Sequence, residues 1–404
     1  MAGSVTRLPL EGIRVLDFTW VVAGPVATRI LADQGAEVIK LERQPGPLGA
    51  RQTGLQGDLH RGKRSIAVNM GTPRGVEIAR RLARVSDIVM DNFSARVMRG
   101  WGMDFASLSK VKPDIVCVSM SGLGHTGPRS NYVSYGPTLQ ALAGFTLLMA
   151  DRNGQPAGYG YSYADMSGGY TGALAALIAL WHRRRTGRGQ FVDLSQFEAV
   201  VSVAGPALLD IAVNGRDQSP PGYRSQELPA APLGIYKCRP RGDDDDRWLA
   251  ISVRTQVHWE SFVSAIGSPA WAYEAKFRTL YLRMRNSVEL DANVARWAAG
   301  EEAESAMERL QRAGVAAGVV ANGADICARD PHLRARNFWG TVPLPDGSTT
   351  HVTGIPMKLS ATPGAIRTPS PIIGEANDYV LGELLGMSRA ERDALIAEKA
   401  IWPT

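Results

Sequence analysis

Apolar and polar positions along this 404-residue chain change period more than once, and each change marks a boundary. Ile13 to Phe18 is a short apolar run that reads as a buried strand. A Gly24-Pro25 break follows, and Val26 to Gln34 reads as a short helix closed by Gly35. Glu37 to Glu42, Ser65 to Val68, Asp87 to Met90 and Asp114 to Val118 read as further strands. Residues 73–84, opened by Pro73, carry helical spacing. This repeated β-α-β order predicts a mostly parallel sheet covered by helices, joined by right-handed crossovers. From Asp165 the period turns helical: Leu174, Leu177, Ile178 and Trp181 line one face, and Gly187 closes the helix. Phe191 to Ser195 reads as a strand and residues 196–213 as a helix.

Beyond a polar, Pro- and Gly-rich stretch, Leu233 to Cys238 and Trp248 to Val253 read as paired strands. The acidic run Asp243 to Asp246 between them reads as a solvated hairpin tip. Helices are expected near 256–266, 287–299 and 302–313, which makes a small α+β domain. Residues 331–376 show little periodicity, and a helix pair at 377–386 and 388–398 follows. The expected organisation is therefore a large α/β, Rossmann-like domain over 1–210, completed by 377–404, and a small domain over 225–330. Residues 211–224 and 331–376 are expected linkers; a structureless tract as long as the second is unusual within one compact domain.

Composition narrows the function. Hydrophobic residues make up 45% and charged residues 21%, with a mean hydropathy of −0.12, so the chain is neither fibrous nor disordered in type. The net charge is +6, and the 45 basic residues divide into 37 Arg and 8 Lys. That excess is too dilute to imply nucleic acid or a membrane surface, and no basic helix or aromatic-basic alternation appears. No apolar run reaches a membrane span, and the start lacks the apolar stretch of a signal peptide. Three widely spaced cysteines, Cys117, Cys238 and Cys327, form neither a disulfide framework nor a zinc spacing, which fits a cytoplasmic protein with no metal.

The Gly-rich dinucleotide fingerprint is absent after the first strand, as are the serine-hydrolase elbow, the phosphate-binding loop and paired metal-ligand histidines. His182 and His258 read as surface or packing residues. One carboxylate is better placed. Asp165 sits where a loop, Tyr161-Ser162-Tyr163-Ala164, meets an apolar helix, a position suited to an N-cap. The same position stabilises an anion, and flanking Gly168 and Gly169 would let a substrate approach the backbone. Those are the needs of a carboxylate nucleophile.

The blocks VLDFTWVVAGPVATRILADQGAEVIKLE, HRGKRSIAVNM, SDIVMDNFSARVMRGWGMD, VSMSGLGHTGP, ADMSGGYTGALAALIALWHRRRTGRGQFVDLSQFEA and LLGM resemble, in order and spacing, the class III CoA-transferases of the CaiB/BaiF family. The resemblance covers nearly the whole chain. It implies a Rossmann-like domain plus a small domain in an interlocked homodimer, with 331–376 as wrapping chain. It implies Asp165 as the nucleophile of the D-M-x-x-G block, which takes CoA from an acyl-CoA donor such as succinyl-CoA as an aspartyl-CoA thioester and passes it to a free carboxylic acid. No permanently bound cofactor is implied; the CoA thioester is the substrate. Family positions that contact CoA fall on Val21, Lys40, Lys63, Asn92 and Arg99, with Arg64 and Arg43 as weaker candidates. Val21 and the Ala23-Gly24-Pro25 turn would lie by the thioester.

The departures shape the acyl site. The formate-accepting branch has Gln where this chain has Val22, and a run of glycines where this chain has Gln226 to Pro232. A larger, more apolar acid pocket is expected. His125 is an acyl-site candidate. α-Methylacyl-CoA racemases share the fold but need a His where this chain has Tyr135, which makes an isomerase the rival reading. A third reading is a subunit of a heteromeric transferase, paired with a related chain.

Overall fold

The computed structural model describes residues 7–43, 53–150, 154–158, 160–216, 229–344 and 346–403. Along the chain run β1 (Arg14–Asp17), α1 (Ala23–Asp33), β2 (Glu37–Glu42), α2 (Gly54–His60), β3 (Lys63–Ala67), α3 (Pro73–Arg84) and β4 (Ile88–Asp91). They are followed by α4 (Val97–Gly100), α5 (Phe105–Leu108), β5 (Val116–Ser119), α6 (Gly136–Leu142), α7 (Phe145–Leu148), α8 (Tyr163–Thr186), β6 (Phe191–Asp193) and α9 (Gln196–Val203).

The chain divides into two compact units. The first comprises residues 1–146, 158–205 and 331–404. Its six strands form one parallel sheet in the order β3-β2-β1-β4-β5-β6, the doubly wound order that reverses direction between β1 and β4. Strands β4 and β5 are buried at every position, which explains their continuous apolar sequences. Helix α3 starts where Thr72 accepts a hydrogen bond from the Gly75 N–H and Pro73 occupies the first turn. Helix α8 ends on Gly187 at φ 71°, a left-handed conformation that favours glycine.

The face of α8 turned to the core differs from the bulky one. Ala164, Gly168, Gly169, Gly172, Ala173, Ala176 and Ala179 are buried, whereas Leu174, Leu177, Ile178 and Trp181 are 40–59% exposed. The reason is distance. A Cβ on Gly169 would lie 2.6 Å from the Val26 side chain and 2.8 Å from the Ala23 carbonyl, so only glycine lets α8 approach α1 this closely. Gly168 likewise admits Gln196, whose Cγ would sit 2.9 Å from an added Cβ. This corrects the expectation that Gly168 and Gly169 open the backbone to a substrate: both are buried packing positions.

Residues 331–376 are not structureless. They hold α15 (Pro331–Ala335) and an antiparallel hairpin, β10 (Gly340–Pro343) with β11 (Thr349–Val352), so only part of the expected linker lacks regular structure. The chain beyond the hairpin pairs with the large unit: Gly62 N–H donates to the Thr368 carbonyl and Ala376 N–H to that of Ser65. Asn377 joins the Ala67 N–H to the Trp402 carbonyl, and Val68 bridges Ile401, so the C-terminal segment covers the β3 edge.

The second unit comprises residues 147–157 and 206–330. Most of α10 (Gly205–Asn214) belongs to it, so the boundary falls earlier than residue 210. Expected linker residues 217–224, and Gln226 to Leu228, lie outside the described residues. Strands β7 (Leu233–Lys237), β8 (Trp248–Ser252) and β9 (Ala316–Val319) form an antiparallel sheet. It packs with α11 (Gln256–Ala265), α13 (Ser287–Ala298) and α14 (Ala303–Arg312) around Phe262, Phe277, Leu290 and Val294. The acidic hairpin tip is more than solvated surface. Asp244 approaches Arg247, which is 1% exposed and also pairs with Asp325 and Glu304.

Candidate active site

Where the sheet reverses order, the β1–α1 turn and the chain after β4 must part, and a crevice opens at the carboxyl ends of the strands. A cavity of about 290 Å³ lies there. Trp20, Val21, Asn92, Phe93, Arg96, Ser121, Tyr135, Gly136, Asp165 and Gln196 are among the residues that line it. The expected nucleophile, Val21, Asn92 and Tyr135 thus come together.

Asp165 is fixed by the first turn of α8. Ser162 caps that helix, its Oγ accepting from the Asp165 N–H at 3.3 Å. Burial pushes the Asp165 carboxyl above the usual carboxylate value, while its hydrogen bond to Ser162 pulls it back. Gly136 presses against this pair: an added Cβ would lie 1.4 Å from Ser162 Oγ and 2.5 Å from Asp165 Oδ2. A larger residue there would displace the carboxylate.

The facing wall is the β1–α1 turn, which is held in a strained shape. Val21, a β-branched residue, has φ 63°, a conformation that costs about 1–3 kcal/mol. Asn92 clamps the preceding residue: its Oδ1 accepts from the Trp20 N–H and its Nδ2 donates to the Trp20 carbonyl, each at 2.8 Å. Below, the Lys40 ammonium donates to the Thr19 carbonyl, and Asp17 accepts from the Thr19 N–H and hydroxyl. Lys63 donates to Asp17, the Pro25 carbonyl and Thr28.

These contacts revise two assignments. The side chains of Asp17 and Lys63 are 0% exposed, and Lys40 is equally buried. Burial alone would raise the Asp17 pKa, but Lys40, Lys63 and the two threonines bring it down to about 2. Burial lowers Lys63 to about 8, against the pull of Asp17. Both lysines therefore build the turn rather than reach a phosphate from its surface. Asn92, too, spends both ends of its amide on the turn.

Other candidates lie apart. Ala23 is 0% exposed and packs under Gly169, and Val22 accepts the Val26 N–H as the residue preceding α1; neither is among the residues that line the cavity. Arg64 pairs with Glu37 at 3.2 Å and covers the Tyr379 ring at 4.4 Å, near the amino end of β2. His125 and Arg99 line a different cavity, with Phe105, Phe191 and Asp193. The His125 N–H of the backbone donates to Asp193 at 2.9 Å, and burial lowers its ring pKa, with Asp193 raising and Arg99 lowering it. His125 is thus not among the residues that line the Asp165 cavity, and among the described residues no histidine lines it.

A second, more apolar cavity of about 400 Å³ shares the Trp20 and Phe93 wall. It is lined by Phe18, Trp20, Leu41, Arg43, Asn69, Phe93 and Trp101, among others. Phe93 meets Trp20 and Trp101 edge to face, with centroids 5.6 and 5.7 Å apart. Trp20, Phe93 and Trp101 were missed from sequence, although all lie in the blocks quoted above. Arg43, a weaker candidate, is placed here. Ser121 and Gln196 were missed as well. No three His, Cys, Asp or Glu groups cluster as a metal site would require among the described residues.

The model of CoA-transferase family III matches residues 10–377. This chain belongs to that family. Over 412 residues the transferase is 29% identical to the succinyl-CoA–L-malate CoA-transferase beta subunit of Chloroflexus aurantiacus, covering 99% of this chain and all of that one. It is 30% identical to a formyl-CoA:oxalate CoA-transferase of Streptomyces avermitilis, over 95% of this chain and 97% of the relative. The crystal structure of a CaiB/BaiF family protein from Brucella suis superimposes with a TM-score of 0.83 at 26% identity, over 94% of the transferase and all of that chain. The protein is therefore a transferase enzyme with the six-stranded parallel sheet of a Rossmann-like domain. Among the described residues no single helix is long and apolar enough to cross a membrane.

Proposed function

We propose that the enzyme moves CoA from an acyl-CoA donor to a free carboxylic acid through Asp165. The observation that carries this reading is the Asp165 carboxylate, half-buried, raised in basicity by burial, and facing a crevice at the sheet's switch point. The carboxylate attacks the donor thioester carbonyl, forming a mixed anhydride and releasing CoA thiolate. The thiolate attacks the aspartyl carbonyl, the donor acid leaves as its carboxylate, and an aspartyl-CoA thioester remains. The acceptor carboxylate attacks that thioester, giving a second anhydride and thiolate. Attack of the thiolate on the acceptor carbonyl yields the new acyl-CoA and restores Asp165. Each step exchanges one acyl bond for another, so the thioester energy is kept, provided water is excluded.

The two adjoining cavities suit the two ends of CoA. The aromatic slot of Phe18, Trp20, Phe93 and Trp101 offers faces and edges for a purine, with Arg43 at its side for a phosphate. The shared Trp20–Phe93 wall then leads the thiol arm to Asp165. Succinyl-CoA is the donor we favour, since it appears in the name of the Chloroflexus relative. A racemase would need a base opposite Asp165, and the position expected for its histidine is Tyr135.

We also propose that two copies associate. The exposed Leu174, Leu177, Ile178 and Trp181 on α8 form an apolar face that a second copy would cover in an interlocked homodimer. The heteromeric reading is favoured by one observation, that the Chloroflexus relative is a beta subunit. Expression of this chain alone separates the two: a homodimer active by itself rejects the heteromer.

The mechanism is tested by intact-protein mass spectrometry after addition of succinyl-CoA. A CoA adduct on Asp165, cleaved by hydroxylamine and absent from Asp165→Ala, is the expected result. Full transfer activity in Asp165→Ala refutes the nucleophile.

A further inference from the structure

Strand β4 ends on Asp91, and the two residues after it build the wall that the two cavities share. Asn92 clamps Trp20, and Phe93 lines both cavities. The side chain of Asp91 fixes how the chain leaves the strand. Its Oδ1 accepts from the Phe93 N–H, two residues on, at 3.1 Å. Its Oδ2 accepts at 2.5 Å from the hydroxyl of Ser119, its register partner on β5. The Met120 N–H closes the same corner on the Asp91 carbonyl at 2.9 Å. One carboxylate thus fastens the segment to the neighbouring strand.

Asp91 is 3% exposed and Ser119 is 4% exposed. Among the described residues no cation pairs with this carboxyl. Its own face of the sheet opens on a third cavity, which it shares with Arg99 of α4, Asp104 ahead of α5, Cys117 of β5, His125 beyond β5 and Asp193 of β6. None of these hydrogen-bonds to it. Arg80 of α3 donates to the Trp101 carbonyl, and beyond β4 Asp17, Lys40 and Lys63 answer one another. A carboxylate kept in the core without a cation is costly, and filling space does not call for one. Both of its partners are donors, which a carboxylate meets with acceptors alone. An asparagine would keep the shape but turn an amide donor toward Ser119. Hydrogen bonds to an ionised group are about twice as strong as neutral ones. Because β4 is paired on both sides, loss of the charge loosens the Phe93 segment rather than the strand.

We propose that Asp91, with Ser119, is a positioning residue for binding of the CoA thioester: its carboxylate sets the Asn92–Phe93 segment and so the wall between the two cavities. This inference rests on the reading of those cavities as the CoA site. Asp91 lines neither of them and acts through its two successors. Burial pushes the Asp91 carboxyl up to about 6, with Ser119 and the Phe93 N–H pulling it back. The group is ionised above that pH and neutral below it, so the wall is firm above it and looser below.

The test measures CoA affinity of the full-length enzyme by calorimetry, from about pH 5 to about pH 8. Asp91→Asn is expected to bind CoA about fivefold more weakly than the wild type at the alkaline end. The ratio should fall to about one at the acid end, where the wild-type carboxyl is neutral too. Taking the ratio cancels the titration of the CoA phosphates and of His125, which both proteins share. Ser119→Ala removes a hydrogen bond that holds the Asp91 carboxyl down. The acid loss of CoA affinity should therefore begin at a higher pH in Ser119→Ala than in the wild type, a comparison that stands even where Asp91→Asn does not fold. An Asp91→Asn affinity equal to the wild type at the alkaline end, or a deficit that is the same at every pH, overturns the inference, as does an unshifted Ser119→Ala profile. Repeated in an Asp165→Asn background, the ratio should be unchanged, so failure of the nucleophile assignment leaves the inference standing. A wild type that binds no CoA refutes the reading of the cavities and the inference with it.

Discussion

The strained Val21 turn makes a quantitative prediction about Asn92. Asn92→Ala removes two hydrogen bonds to Trp20, each 2.8 Å long. At about 1 kcal/mol apiece the clamp contributes about 2 kcal/mol. The left-handed conformation of Val21, at φ 63°, opposes it with strain of about 1–3 kcal/mol. The two terms are of one size, so a turn without its clamp relaxes away from the cavity for much of the time. A loss of about 2 kcal/mol corresponds to about 30-fold in kcat/KM. Val21→Gly removes the strain, since glycine adopts this φ freely. In that background Asn92→Ala should cost no more than about threefold, because the turn no longer has strain to release. Steady-state kcat/KM for the four proteins of the cycle decides the matter. An equal Asn92→Ala penalty with Val21 and with Gly at this position refutes the argument, and would mean that Asn92 acts by touching substrate directly.

Other substitutions test the remaining parts of the site. Ser162→Ala deletes the hydrogen bond that lowers the Asp165 pKa, so the acid limb of kcat/KM, which needs the ionised carboxylate, should move to higher pH; an unmoved limb refutes the link. Lys63→Met leaves Asp17 buried without its closest cation and should destabilise the protein by about 3–5 kcal/mol in urea melts. A CoA-phosphate role for Lys63 predicts instead unchanged stability and a raised, salt-sensitive KM. Gly169→Ala places a methyl against the Ala23 carbonyl and should cost about 1–3 kcal/mol, whereas Gly172→Ala meets only the flexible Met120 thioether and should be nearly neutral. Thermal melts compare the two; equal stability would show that α1 yields.

The strands were legible because the parallel sheet is buried on both faces, so Val38-Ile39 and Val116-Cys117-Val118 stand out as unbroken apolar runs. Helix α3 was legible through its proline and threonine start. The long helix misled in one respect. Bulky Leu174, Ile178 and Trp181 draw the eye, yet the glycine and alanine face is the buried one, because contact distance to α1 selects for small side chains there. Sequence blocks placed the lysines near the crevice but not their partners, since nothing along β2 or β3 says that Thr19, Asp17 and Thr28 lie in wait beneath the turn. Ser121 and Gln196 carry no motif. Their place in the lining of the Asp165 cavity exists only in three dimensions.

The choice of lysine at position 63 follows from valence. Lys63 has three ammonium donors and meets three acceptors, on Asp17, Pro25 and Thr28. An arginine would bring five donors in a plane to that space and leave some unmet in the core. Charge balances there as well, with Asp17 and the buried Glu42 against Lys40 and Lys63, so the turn is stiffened without a net field beneath it. Arg43 and Arg96 stand instead at the cavity surfaces, where a planar fork suits a phosphate or carboxylate. Exchange of the two residue types is therefore conservative in neither place. Lys63→Arg should lose stability through crowding in the core, and Arg43→Lys should raise KM for the CoA thioester while leaving stability unchanged.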